Sequence, residues 1–114
     1  MSYLQDYIET ALWSSIDHNT DEPLDKNYSI DDIDAETLKR CQIDIDAFIE
    51  RAGNLLDDLN DSPIMHDFWL TRNRHGAGFW DGDYPKEIGE KLTDLSHSFG
   101  EIDFYVGDDG RLYL

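Results

Sequence analysis

Basic residues are scarce in this sequence. Its 114 residues include 26 Asp and Glu but only 9 Lys and Arg, so the formal net charge is −17 at pH 7. DNA, RNA and anionic membranes are poor partners for such a chain because their charge has the same sign, whereas a basic protein surface attracts it. Of the acids, 19 are Asp and 7 are Glu. The shorter Asp side chain holds its charge close to the main chain, which suits a surface that imitates a row of phosphates.

Cysteine and long apolar runs are also rare. The single Cys41 excludes an internal disulfide framework and is typical of a reducing cytoplasm. No run approaches the ~20 apolar residues of a membrane span, and no secretory signal pattern is found. Aromatic residues are plentiful, with 3 Trp, 6 Tyr and 5 Phe, which argues against disorder. We therefore expect a cytoplasmic protein with a single domain over residues 1–114.

Two helices are predicted in the first half of the chain. Apolar residues recur at helical spacing over residues 2–18, with Trp13 on the opposite, acidic side. Residues 18–34 then break the pattern and are predicted to form an acidic loop. A second helix is predicted over residues 35–59, with Asp34 as its N-cap.

The predicted helix 35–59 has an apolar face and an acidic face. The apolar residues fall within an arc of about 120°, and the acidic ones within an opposite arc of about 160°. We call the latter the acidic stripe: Glu36, Asp44, Asp46, Glu50, Asp57 and Asp58. Ile43 lies within this stripe. It is either one of the scattered exposed apolar residues of any surface or an anchor for a partner.

The second half is predicted to contain most of the strands. Alternation over residues 66–73 predicts a strand, Gly76 and Gly78 a turn, and Phe79–Trp80 the start of a return strand. A third helix is predicted to begin at Pro85, with Asp83 or Tyr84 as its N-cap, and to end at Gly100.

The end of the chain is predicted to be a hairpin. Residues 102–106 alternate as a strand, residues 108–110 form the turn, and residues 111–114 form the partner strand. The predicted fold class is α+β: two N-terminal helices followed by β-β-α-β-β with a small antiparallel sheet. Residues 1–62 form an acidic helical half with 16 acids and 4 bases, a net of −12. Residues 63–114 form a sheet-containing half with 10 acids and 5 bases, a net of −5.

Residues 66–80 are the most distinctive segment. In an enzyme, His66 or His75 would serve as general base, and Arg72 or Arg74 would hold a phosphate or carboxylate. The two histidines could instead share a metal ion with Asp67 or Asp81.

A structural role for this segment is the favoured interpretation. Its spacing matches no zinc, nucleophile or phosphate-loop signature. The arginines would then neutralise neighbouring acids, while Trp69, Phe79 and Trp80 would fill the core. We therefore predict no catalytic residue, no metal ligand and no cofactor.

The second half resembles a family of small proteins encoded by phages and plasmids. The resemblance is carried by residues 66–80 and by the ending Ile102–Leu114, with its Gly107-Asp108-Asp109-Gly110-Arg111-Leu112-Tyr113-Leu114 stretch. It implies a mobile-element origin and no particular activity. In size and charge the chain is also similar to phage DNA-mimic inhibitors, small acidic proteins that occupy the DNA-binding site of a host enzyme.

The leading hypothesis is an acidic, DNA-mimic-type inhibitor of a host defence or repair protein that binds nucleic acid, as in anti-restriction or anti-CRISPR activity. The partner would be a basic host protein, bound by a monomer or homodimer in the host cytoplasm without direct contact to nucleic acid or membrane. The predicted partner-binding residues are the acidic stripe together with Trp13, Asp31, Asp32, Asp34 and Ile43.

Three alternatives remain open. The protein could be an accessory protein that docks one host protein through an apolar patch at Trp13 and Ile43. It could be a small hydrolase or nucleotide-binding enzyme built on residues 66–80. Its acidity could also serve solvation alone.

Overall fold

A computed structural model describes the chain except for residues 1–2, 58, 60–62, 75–77 and 80–83. The described residues form an α+β protein. Its helices are α1 (Tyr3–Ser14), α2 (Ala35–Ala52), α3 (Ile64–Arg72) and α4 (Lys86–Ser98). Two small antiparallel sheets accompany them, one pairing β1 (Ile16–Asp17) with β2 (Glu22–Pro23) and the other pairing β3 (Tyr105–Val106) with β4 (Leu112–Tyr113).

Helix α2 begins where the sequence predicted. The Asp34 carboxylate accepts hydrogen bonds from the main-chain N–H groups of Glu36 at 3.1 Å and Thr37 at 3.4 Å, so the predicted N-cap is confirmed. The helix ends at Ala52 rather than at residue 59. Gly53 follows with a φ of +48°, a conformation that glycine adopts readily, and the chain continues as a 3₁₀ turn over Gly53–Leu56.

The predicted strand over residues 66–73 is wrong, because residues 66–72 lie in helix α3 and Asn73 is its C-cap. The buried residues of α3 include Ile64, Met65, Phe68 and Leu70, and its polar Arg72 is buried as well. A helix enclosed on most sides lacks the 3.6-residue alternation of apolar and polar residues that marks a surface helix.

The predicted return strand is also wrong at Phe79, which lies in a turn. Trp80 lies outside the described residues, and so does Gly76 of the predicted turn. The order β-β-α-β-β is therefore not found among the residues that the structure describes. A helix, α3, stands in place of its first strand.

The first helix is shorter than predicted. It ends at Ser14 instead of residue 18, and the chain then forms the narrow hairpin β1–β2. Strand β1 lies within the predicted helix, and β2 lies within the predicted loop. Ile16 pairs with Pro23 and Asp17 with Glu22. Asp21, in the turn between the two strands, has a φ of +58°.

The C-terminal helix and hairpin lie close to their predicted positions. Helix α4 covers Lys86–Ser98, with Pro85 at its N-cap and Gly100 just beyond its end. We predicted Asp83 or Tyr84 as the cap. The N-cap is instead Pro85, and Asp83 lies outside the described residues. Strand pairing starts at Tyr105 and not at residue 102.

Aromatic side chains of several elements form the core around α3. The rings of Phe48 in α2 and Phe68 in α3 are stacked with centroids 4.1 Å apart. Tyr7 of α1 contacts Trp69 of α3 edge-on at 5.2 Å, and Phe104 stacks on the same indole at 5.7 Å. The body built around this core measures 43 × 25 × 24 Å.

Candidate partner-binding surface and cleft

The acidic stripe does not act as a uniform set of free charges, because Asp44 is paired inside the protein. The guanidinium of Arg72, whose side chain is only 2% exposed, donates from Nη1 to Asp44 Oδ2 at 2.8 Å. The predicted role of an arginine in neutralising a neighbouring acid is thus confirmed for Arg72. The charge of Asp44 serves this internal ion pair.

The remaining described members of the stripe face solvent. Glu36, Asp46, Glu50 and Asp57 are exposed, and Asp58 lies outside the described residues. Glu36 lies 3.7 Å from Lys39. Across the described part of the chain, Asp46, Glu50 and Asp57 have no ion-pair partner. Their charge is therefore available to a partner.

Two bases interrupt the stripe near Ile43. Lys39 and Arg40 are exposed and lie four and three residues before Ile43, which places all three on one helix face. Ile43 itself is 65% exposed, as the helical spacing predicted. Asp46 lies one turn further on. The position of both bases was readable from helical spacing, but the sequence interpretation counted only the acids.

The acidic loop before α2 uses two of its three predicted carboxylates internally. Asp32 accepts a hydrogen bond from the N–H of Ser29 at 2.8 Å, and Asp34 caps α2. Asp31 is exposed, and no described residue forms an ion pair with it.

The C-terminal hairpin lies beside this loop. Ile33 forms a parallel bridge with Leu112, and the N–H of Asp34 donates to the Leu112 carbonyl at 3.1 Å. The turn of this hairpin carries a second acidic pair, Asp108 and Asp109. Such long-range pairing leaves no periodic signal, which explains why sequence reasoning missed it.

Asp109 is held by its own hairpin. Its carboxylate accepts hydrogen bonds from the Tyr113 hydroxyl at 2.5 Å and from the Arg111 N–H at 3.0 Å. The bond from Tyr113 is the main cause that lowers the pKa of Asp109. The same bond raises the pKa of Tyr113 to about 12, so Asp109 stays charged and Tyr113 neutral at physiological pH.

Trp13 has a packing partner within the chain. It is about half exposed, and its indole stacks on the imidazole of His66 with centroids 5.6 Å apart. His66 Nδ1 lies 3.1 Å from the carboxylate of Asp67, whose other oxygen accepts a hydrogen bond from the Tyr84 hydroxyl at 2.5 Å. A carboxylate that orients an imidazole is one element of a general base.

The other candidates for chemistry are dispersed or lie outside the described residues. His75 and Asp81, which the metal hypothesis groups with His66, belong to the latter group. Arg74 is exposed, while Trp69 and Phe79 are buried as predicted. No group of three or more potential metal ligands occurs among the described residues. None of the helices in that part of the chain is long and apolar enough to cross a membrane.

An open cleft of about 460 Å³ lies at the end of α1. One wall is formed by Ser14, Ser15 and His18, and the opposite wall by the segment Glu101–Asp103, with Asn73 between them. Sequence reasoning did not find this cleft, since its walls come from three segments that no motif connects.

Searches of family models, curated proteins and solved structures give no match to this chain. The mobile-element origin implied by the resemblance of the second half stays a prediction.

Proposed function

We propose that the protein is an acidic inhibitor of the DNA-mimic type, which occupies the nucleic-acid-binding surface of a basic host defence or repair protein. The observation that carries the proposal is the excess of exposed carboxylates without an internal ion pair. Within the described ranges these are Glu9, Asp21, Asp25, Asp31, Asp46, Glu50, Asp57, Glu90, Asp94, Glu101, Asp103, Asp108 and Asp109.

The shape and charge density of the molecule are compatible with such a role. Its long axis is 43 Å and its cross-section 25 × 24 Å. Duplex DNA of that length carries about 25 phosphate charges at one per ~1.7 Å of axis. The net charge of −17 is of the same order.

The acidic residues do not contribute equally to the proposed surface. Asp44, Asp32 and Asp34 make internal bonds that hold the fold, so their carboxylates are poor candidates for partner contacts. Glu50 and Asp57 of the stripe remain, together with Asp31 and Asp108. Asp46 remains as well, because its one hydrogen bond, from the Gln42 amide at 2.8 Å, is an exposed contact within α2. Attraction between these residues and a basic surface would speed association and weaken steeply with salt.

Competition with DNA tests the proposal. Candidate partners are captured from host lysate at low salt on the immobilised protein, purified, and assayed for binding to labelled duplex DNA. A DNA mimic should displace the duplex from its partner, and excess duplex should release the mimic. A partner that binds the protein and DNA simultaneously would contradict the proposal.

Charge reversal then locates the surface. Asp46→Lys combined with Glu50→Lys should lower affinity for the partner at least tenfold, because two attractive charges become repulsive. The matched control is Glu90→Lys with Asp94→Lys on α4, which changes the net charge equally. Equal losses in both double variants would mean that the total charge matters and not the acidic stripe.

Docking through Ile43 is the second candidate function, favoured by the 65% exposure of this side chain. An apolar dock should tolerate about 0.5 M salt, where the Debye length is only a few ångströms, whereas the mimic should dissociate. Ile43→Ser should abolish binding if the protein docks through Ile43. If the protein is a DNA mimic, the same change should alter affinity by no more than about twofold, since an exposed apolar side chain contributes little electrostatic attraction.

A further inference from the structure

The cleft at the end of α1 has the size of a ligand site. Its volume of about 460 Å³ lies within the ~300–1,000 Å³ usual for small-molecule pockets. It is formed where the chain leaves α1 at Ser14 and Ser15 and faces the extended segment Glu101–Asp103. None of the acidic stripe residues lines it, so it is distinct from the surface of α2.

Internal hydrogen bonds fix both walls of the cleft. The side chain of Asn73 accepts from the N–H of Ile102 at 2.8 Å and donates to the carbonyl of Trp69 at 3.1 Å, which ties the segment Glu101–Asp103 to α3. On the opposite wall, Ser14 Oγ accepts from Trp69 Nε1 at 2.9 Å and donates to the Thr10 carbonyl at 2.7 Å. The cleft is thus preformed, which lowers the entropic cost of binding.

Ser15 presents an unused polar group to this cleft. The residue is only 5% exposed, yet no described residue forms a hydrogen bond with its hydroxyl. Among the described residues, no completely buried side-chain oxygen or nitrogen lacks a partner, so the Ser15 hydroxyl keeps some contact with solvent, and Ser15 is one of the residues that line the cleft. A hydroxyl in so enclosed a place gains from a ligand that completes its hydrogen bonding.

The charged residues around the cleft favour a cationic ligand. Glu101 and Asp103 are exposed on its wall, and neither has an ion-pair partner within the described ranges. No Lys or Arg belongs to its lining. Ile16 and Ile102 also line it and can pack against the aliphatic stem that carries a cationic head.

We infer that this cleft binds a guanidinium or ammonium group on an aliphatic stem, supplied by an arginine or lysine side chain of a partner protein. The cation donates a hydrogen bond to the Ser15 hydroxyl, and its charge pairs with Glu101 and Asp103. The choice of a protein side chain over a free polyamine rests on the proposed function, because a nucleic-acid-binding surface is rich in such side chains.

Amide chemical shifts of the isotope-labelled protein test this inference. The probe is N-acetyl-arginine amide, and the matched control is N-acetyl-citrulline amide, which keeps the shape and removes the charge. The arginine probe should shift the amides of Ser15, Asn73 and Asp103 in a saturable way. The citrulline probe should shift them much less, and an equal response to both probes would overturn the assignment of a cation site.

Variants test whether Ser15, Glu101 and Asp103 are responsible for binding the arginine probe. Ser15→Ala, and separately Glu101→Gln with Asp103→Asn, should each weaken binding of the arginine probe roughly tenfold, the usual effect of losing a charge-assisted hydrogen bond. Glu90→Gln with Asp94→Asn removes the same charge elsewhere and should change affinity by no more than about twofold. If this control pair weakens binding as much as the cleft pair, the inference fails. The cleft pair on exposed wall positions keeps the test valid if Ser15→Ala disturbs the fold.

A spermine titration distinguishes the two sources of the cation. Shifts with spermine but none with the arginine probe would overturn the assignment to a protein side chain. The cleft inference and the proposed function can also fail separately. Displacement of DNA by a protein whose cleft ignores the arginine probe would refute the cleft inference only, whereas a responsive cleft without displacement of DNA would refute only the proposed function.

Discussion

Arg72 of α3 and Asp44 of α2 lie 28 residues apart in the chain and join the two helices, with Nη1 of the guanidinium 2.8 Å from the carboxylate. The same guanidinium donates to the Tyr7 hydroxyl at 2.9 Å, to the Gly100 carbonyl at 2.9 Å and to the Phe99 carbonyl at 3.0 Å. One buried cation therefore connects α3 with α1, with α2 and with the chain that follows α4. This arrangement satisfies a charge that would otherwise be costly to bury.

Removal of this cation should destabilise the fold strongly. Arg72→Met leaves its acceptors without a donor, and we expect the free energy of unfolding to fall by about 3–5 kcal/mol. Asp44→Asn should cost less, about 1–2 kcal/mol, because Asp44 keeps contact with water and the amide oxygen still accepts the hydrogen bond. Urea denaturation measures both, with Asp46→Asn as the exposed control. If Arg72→Met were no less stable than this control, the structural role of the pair would be refuted.

Helix α2 and the C-terminal hairpin were predictable because their signals are local. The N-cap Asp34 precedes a clear 3.6-residue period, and Asp108-Asp109-Gly110 supports a tight turn. Helix α3 was not predictable in this way. Its apolar residues surround the helix, so that the sequence contains no exposed face against which a period can be recognised.

The same distinction between local signals and long-range contacts applies to the residues of the candidate site. The exposure of Ile43 follows from helical spacing alone and was predicted. Asp44 differs from the other residues of the acidic stripe because it forms an ion pair with Arg72. The cleft exists because the fold brings Ser15 and the segment Glu101–Asp103 to the same place. Contacts between residues so distant in the chain have no signature in one sequence.

Asp34 should stabilise the protein in a way that Asp31 does not, although both were predicted to contact a partner. Asp34 accepts two main-chain hydrogen bonds at the start of α2, whereas Asp31 accepts none from the described residues. Asp34→Ala should lower the free energy of unfolding by about 1 kcal/mol. Asp31→Ala should leave it within about 0.5 kcal/mol. Thermal unfolding followed by circular dichroism compares the two, and equal losses would argue against the capping role.

Gly78 should not tolerate alanine. Its φ is +134°, and a Cβ atom there would collide with Oγ1 of Thr71, which also accepts a hydrogen bond from the Phe79 N–H at 3.1 Å. Gly78→Ala should therefore cost about 3 kcal/mol, from backbone strain together with overpacking.

Gly110 is the control for this prediction, since its φ is also positive at +78° but no atom lies within 4 Å of an added Cβ. Gly110→Ala should cost only the backbone strain, about 1 kcal/mol. Chemical denaturation of the two variants separates the effects. If Gly78→Ala lowered the free energy of unfolding no more than Gly110→Ala does, the protein would relieve the collision with Thr71 without losing stability.

Burial of Cys41 and Tyr7 should make the fold sensitive to alkali. Burial, together with a smaller contribution from nearby Asp44, raises the pKa of the Cys41 thiol from 9.0 to about 12. Burial also raises the pKa of the Tyr7 hydroxyl above its ordinary value. Above about pH 9 the unfolded chain loses the thiol proton while the folded protein keeps it, so the stability that is complete below this pH is lost as the pH rises toward 12.

The slope attributable to Cys41 should approach about 1.4 kcal/mol per pH unit between these two pKa values. Urea denaturation at neutral pH and at ~pH 10.5 measures it. Cys41→Ala should reduce the slope and leave the parts due to Tyr7 and Tyr113, and Tyr7→Phe should then remove the part due to Tyr7. The native thiol should also resist alkylation at neutral pH and react once urea unfolds the chain. A thiol modified rapidly in the native protein, or a slope unchanged in Cys41→Ala, would mean that Cys41 is accessible as a thiolate and that its burial does not control its titration.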